Sequence, residues 1–183
     1  MSTVRYAAGL RHLHWLIALL IVVALVLIEL KGWLPRGSAE RAAVKWAHTQ
    51  FGLAVLLLML PRMLVRLRAS VPPISPAPPR WQDGLGKLIH LALYLLAFAV
   101  PLLGVAMMVA AGKPWDLLGL PLPTLATPDE GLVKNLEELH ETTGNVLMWL
   151  AIAHAAAALY HHFVQRDDTL RRMLPPDRAT TTD

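Results

Sequence analysis

The stretch HLHWLIALLIVVALVLIEL, residues 12–30, constrains the fold more than any other part of the chain. As an α-helix it would rise about 28 Å, close to the hydrocarbon thickness of a bilayer. Three further segments have similar length and apolarity, at about 47–66, 87–110 and 142–164. The second is the weakest, since Pro61 and Arg62 interrupt it near its end. The third contains Pro101 and Gly104, which spanning helices tolerate because neighbouring groups satisfy the freed backbone. Of the 183 residues, 55% are hydrophobic and 16% charged, against about 25% charged in soluble domains. These features predict a single all-α domain, an integral membrane four-helix bundle. Residues 12–30 are too long for the apolar core of a signal peptide. Glu29-Leu30-Lys31-Gly32-Trp33 follows, with no small-residue cleavage pattern, so a retained span is expected.

The connections are polar or turn-rich. SVPPISPAPPR, residues 70–80, is expected to be an extended proline-rich linker. GKPWDLLGLPLPTLATPDEG, residues 112–131, should fold over the membrane surface, and residues 175–183 are expected to form a disordered tail. With four spans the N-terminus, the proline-rich linker and the C-terminus share one side. Eleven of the 17 Lys and Arg residues fall there and six on the other side. The excess of basic residues places both termini, and the linker, on the cytoplasmic side of the membrane. The basic residues are dispersed rather than gathered with aromatics into a stripe, which argues against nucleic-acid binding.

There is no cysteine. Disulfides, thiolate metal sites, iron–sulfur clusters and covalently attached c-type haem are thereby excluded. Histidine is the remaining ligand type for a redox centre. The chain has eight: His12, His14, His48, His90, His140, His154, His161 and His162. The topology sorts them by depth. His14 enters the first span from the cytoplasmic side, His48 opens the second from the outer side, and His140 sits just before the fourth, also on the outer side. His154 lies well inside that fourth span. Fourteen residues separate His140 from His154, about 21 Å of helical rise with a return to within about 40° of the same face. One ion cannot bind both. Two centres follow, His48 with His140 near the outer face and His14 with His154 nearer the cytoplasm. Two imidazoles per centre suit the axial positions of a b-type haem, so the bundle is read as enclosing two haems.

Residues one turn along agree with this division. His48 and His140 are followed at i+4 by Gly52 and Gly144, and His14 and His154 by Ala18 and Ala158. Such small residues leave room for a flat macrocycle. The other four histidines have Leu16, Tyr94, Gln165 and Arg166 at that position. His12 points nearly opposite His14 and reads as an interfacial residue. His90 and His161 are candidates for quinone or haem-edge contact, or for structural roles, and His162 for a simple interface residue. The seven methionines read as packing. Arg62 and Arg66 share a helix face, suited either to lipid phosphate or to haem propionates.

With these residues in view, the chain resembles the bacterial di-haem cytochromes of the cytochrome b561 family, the small superoxide-oxidising members most of all. The resemblance covers roughly residues 8–175 and rests on His14-Trp15, LPR before the second span and the Arg62/Arg66 pair with its following PP. It continues through HLALYLLAFAVPLLG, GKPWDLLGL, LHETTGN, HAAAALYHHF and TLRRMLP. It implies haem ligation by His14 with His154 and by His48 with His140. It also implies a superoxide:ubiquinone oxidoreductase, in which superoxide gives electrons at the outer face and ubiquinone accepts them, with no obligatory protein partner. Superoxide is an anion, and Lys31, Arg36, Arg41 and Lys45 in the first outer loop, with Lys113 in the second, are the candidate steering charges. The second outer loop is otherwise acidic.

Two other functions are compatible with the same pattern. One is an electron-transfer subunit linking a periplasmic dehydrogenase or hydrogenase to the quinone pool. The other is a histidine-lined proton or metal transporter, which would lack haem absorbance. The orientation is testable directly: a C-terminal reporter fused after Arg178 should report the cytoplasm, and a periplasmic signal would reverse the direction of electron flow described above.

Overall fold

The structure, a computed structural model, describes residues 4–124 and 127–175. Four helices form an up-and-down bundle: α1 (Ala8–Trp33), α2 (Ala39–Arg68), α3 (Arg80–Ala110) and α4 (Glu130–Tyr160). All four are long and apolar enough to cross a membrane. A two-stranded hairpin, β1 (Asp116–Leu117) with β2 (Leu120–Pro121), lies between α3 and α4. Beyond α4 come a wide π turn at His161–Gln165 and a short 3-10 turn at Arg171–Met173. Of the expected tail, residues 176–183 lie outside the described residues.

Each helix starts ahead of the apolar segment read from the sequence, for local reasons, while α4 stops at Tyr160, short of 164, where the π turn takes over. The Ser38 hydroxyl accepts from the Arg41 amide at 3.1 Å, starting α2 eight residues ahead of the apolar run. The Asp129 carboxylate caps α4 through the Leu132 amide at 2.9 Å, so His140 sits well inside α4 rather than before it. The proline-rich segment ends at Pro79. Its carbonyl accepts from Gln82 and Asp83, and α3 begins at Arg80 instead of near 87. An ion pair between Asp83 and Lys87, one turn apart at 2.7 Å, supports this first polar stretch. Pro61 and Pro101 lie within α2 and α3 without ending them.

The main packing is pairwise, α1 along α2 and α3 along α4, with α2 joining the two pairs through α3. A small apolar layer of Ile17, Val55, Met59 and Ala97, with Leu13, Leu20, Tyr94 and Phe98 around it, fills mid-depth. The outward faces are the reverse of a soluble bundle. Leu19, Val22, Val26, Leu57, Leu95 and Ile152 are each more than half exposed. In water this would be an apolar surface far larger than soluble monomers carry; lipid is its natural solvent.

At one end of the bundle the C-terminal segment ties the N-terminus to the proline-rich connection. Arg172 is 4% exposed. Its guanidinium donates to the Pro72 carbonyl, lies 3.5 Å from Asp168 and stacks over Tyr6 at 5.4 Å. The Trp15 indole donates to the Met173 carbonyl at 2.8 Å, and the Tyr6 amide to the Arg172 carbonyl at 3.1 Å. Ser75 and Asp168 exchange hydrogen bonds, each amide donating to the other residue at 2.9 and 3.1 Å. Burial alone would raise the Asp167 carboxyl. Hydrogen bonds from His161 and Thr169 outweigh it and hold the group below its ordinary 3.8. A depressed carboxylate stabilises the fold above the ordinary value, and that contribution is lost only as pH falls through the lower, folded one.

Arg172→Ala should therefore destabilise the protein by about 3 kcal/mol, because it removes a buried guanidinium that pairs with the partly buried Asp168 carboxylate and satisfies the buried Pro72 carbonyl. Thermal unfolding in detergent checks this; an unchanged midpoint would mean that the clasp contributes nothing.

Candidate functional site

The bundle brings its interior histidines together in two pairs. His48 on α2 faces His140 on α4, with ring centres 6.2 Å apart and planes at 87°. His14 on α1 faces His154 on α4, again at 6.2 Å, with planes at 83°. Metal–imidazole bonds are about 2 Å and the ring centre lies about 1 Å beyond the nitrogen, so two imidazoles on one ion have centres on the order of 6 Å apart. Both separations match that span.

The outer pair is oriented by the two helices that do not supply it. His48 Nδ1 lies 2.8 Å from the Ala24 carbonyl on α1, and His140 Nδ1 lies 2.9 Å from the Val100 carbonyl on α3. A carbonyl only accepts, so each Nδ1 carries its proton and donates. Each Nε2 is then the bare nitrogen, the tautomer that a metal ligand requires, and the second bond fixes the ring's direction. Gly104 on α3 permits the approach: a Cβ there would come within 3.2 Å of the His140 ring. A Cβ at Gly52 or Gly144 would meet nothing within 4 Å, so the helix faces beside both rings have room for a flat group.

The inner pair has a different setting. Arg62 turns inward instead of snorkelling. Its guanidinium donates to the Leu10 carbonyl at 3.0 Å, comes within 3.3 Å of His14 Nδ1, and lies over the Tyr94 ring at 5.5 Å. The His90 ring centre is 5.2 Å from that of His154. His90 therefore belongs to the inner cluster but faces His154 from α3. Among the described residues no group of three or more His, Asp or Glu could hold a bare metal ion. Two imidazoles per centre fit a group that brings its own equatorial ligands, which a porphyrin does.

The remaining sequence candidates lie toward the two ends. His12 is exposed. His161 donates from Nδ1 to Asp167 at 2.5 Å, a contact made possible by the π turn and the left-handed Arg166 at φ 56°. Arg36, Lys45 and Lys113 are exposed at the end that holds His48 and His140. Lys31 is half-buried, and its carbonyl accepts from Arg41. Arg41 also donates to the Leu34 carbonyl at 2.9 Å, so its guanidinium caps the C-terminus of α1 while keeping its charge.

Sequence reasoning missed Gln50, Trp115 and Asp116, which join the hairpin to α2. Gln50 is buried two residues after His48, and an amide in a lipid-spanning segment was the available signal.

Residues 5–176 match the family described as prokaryotic cytochrome b561. The chain is similar to cytochrome b561 homolog 1 of Escherichia coli (strain K12), 38% identical over 171 residues, covering 93% of this chain and 97% of that protein. It is also similar to a Yersinia pestis protein named probable superoxide oxidase CybB, 37% identical over 167 residues, 91% of this chain and 94% of that one. Cytochrome b562 of Cereibacter sphaeroides is 32% identical over 168 residues, 90% and 91% of the two chains. With the match running almost end to end, over four spanning helices and both histidine pairs, the chain belongs to the prokaryotic cytochrome b561 family, the membrane cytochromes b of electron transfer.

Proposed function

We propose that the protein is a di-haem superoxide:ubiquinone oxidoreductase of the bacterial inner membrane, with both termini cytoplasmic. The observation that carries this reading is the pair of facing imidazoles at each of two depths, 6.2 Å between ring centres in both. His48 and His140 would hold the outer haem b, His14 and His154 the inner one. When bound, each haem would supply a one-electron carrier held by two imidazoles, chemistry that favours outer-sphere electron transfer over oxygen binding. The net reaction converts two superoxide anions, one ubiquinone and two protons into two dioxygen molecules and one ubiquinol.

The chain's own residues divide the remaining work. Lys31, Arg36, Arg41, Lys45 and Lys113 give the outer end its positive charge and attract an anionic reductant. Two acidic groups nearby are locally engaged: Asp116 accepts from Gly119 and Trp46, and Asp129 from Leu132. At the cytoplasmic end His90 and His161 are the proposed contacts for the quinone head. The hydrogen-bonded His161–Asp167 pair is suited to hand a proton to a reduced quinone oxygen. The Yersinia pestis relative's name supports superoxide as the donor.

Stopped-flow reduction of the purified protein by a superoxide pulse tests the proposal. Reduction should be fast and should slow as salt rises, because attraction between exposed charges is screened over about 8 Å at physiological ionic strength. Arg36→Glu should slow it several-fold with the haem spectrum unchanged, and added ubiquinone should reoxidise the haems. Slow, salt-independent reduction would point instead to a protein donor docking at the outer face. No reduction would exclude the superoxide reading.

A further inference from the structure

We propose that Gln50 is a latch that holds Trp115 over the outer centre, and that this cap restricts electron entry to small reductants. The inference rests on the reading of His48 and His140 as the outer haem ligands. Gln50 is 8% exposed, and both ends of its amide are used on the hairpin. Nε2 donates to the Asp116 carbonyl and Oε1 accepts from the Leu118 amide, each at 2.9 Å. A buried amide that satisfies two backbone groups of a distant loop is a fixed attachment, since opening leaves unpaired groups on both sides.

The hairpin does not adopt its shape unaided. Its two turn residues, Leu118 and Gly119, have φ of 49° and 88°. Glycine takes this conformation freely, but leucine is disfavoured there by its Cβ. Strain of this kind persists where surrounding contacts over-determine it. The Gln50 bond to the Leu118 amide is one such contact. The Asp116 carboxylate supplies two more, accepting from the Gly119 amide at 2.7 Å and from the Trp46 indole at 3.2 Å.

The residue preceding the hairpin is Trp115. It is 8% exposed, its indole donates to the Pro123 carbonyl at 2.9 Å, and it lines one cavity with His48, His140, Gly52 and Met108. The hairpin thus closes the outer pair from the loop side, and Gln50, on the same helix as His48, ties the closure to the ligand helix. Superoxide is diatomic and can approach past such a cap. A bulkier reductant is kept at a distance.

The test exploits the absence of native cysteine. Met108→Cys places one thiol in the lined cavity, and its alkylation by a water-soluble maleimide reads access from the outer face. Gln50→Met keeps the side-chain volume and removes both bonds; labelling should accelerate on the order of tenfold. Gln50→Glu retains only the acceptor for Leu118 and should fall between. In haem-loaded protein without the cysteine, Gln50→Met should raise the ratio of the ascorbate to the superoxide reduction rate by a similar factor. Unchanged labelling in both Gln50 variants overturns the latch. Faster labelling with an unchanged rate ratio overturns the restriction on reductants. If the protein took up no haem, the underlying reading would fail, while the labelling series would still report on the latch.

Discussion

Placing imidazoles inside a lipid-facing bundle is the constraint on which the rest of the structure depends. A ring nitrogen at that depth has no water to bond, so its partner must come from elsewhere in the bundle. At the outer pair the partners are backbone carbonyls of α1 and α3, while the rings come from α2 and α4. Four helices are thereby committed to one centre. Small residues follow from the same demand: a Cβ at Gly104 would crowd the His140 ring at 3.2 Å, so glycine suits the close approach of α3. Replacing it with a larger residue would push the carbonyl of Val100 away from the ring it orients.

The two centres are built alike and furnished differently. The outer one has neutral carbonyl acceptors and a hairpin above it. The inner one has a guanidinium against His14 and a third imidazole against His154. A cation beside a redox centre stabilises its electron-rich form, so in the proposed reading Arg62 would favour electron arrival at the inner haem. Beyond it, the clasp formed by Arg172, Asp168 and Ser75 gathers three chain segments that lie far apart in sequence. The positions proposed for quinone, His90 and His161, adjoin this end of the bundle.

Much of this was legible in the sequence because helices translate spacing into direction. The fourteen residues between His140 and His154 put both rings on one face at two depths, and the hydropathy of the spans supplied the depth of their partners. Hydropathy reports bilayer thickness, however, and says little about where a helix stops. Hence α3 begins at Arg80 and α4 at Glu130, set by Pro79 and by the Asp129 cap. Contacts between a helix and a remote loop have no period at all. Gln50 meets Asp116 and Leu118 across more than sixty residues, and His161 meets Asp167 only because the chain turns left-handed at Arg166. Composition marked Gln50 and Asp167 as polar; only the fold gives them partners.

The central claim is that each facing pair binds one haem iron through both rings. Electron paramagnetic resonance of the oxidised, haem-loaded protein tests it most directly. Planes at 83° and 87° predict two low-spin ferric signals per chain, both with the strong anisotropy of near-perpendicular axial imidazoles. A high-spin signal, or a single low-spin species integrating to one haem per chain, would contradict the account.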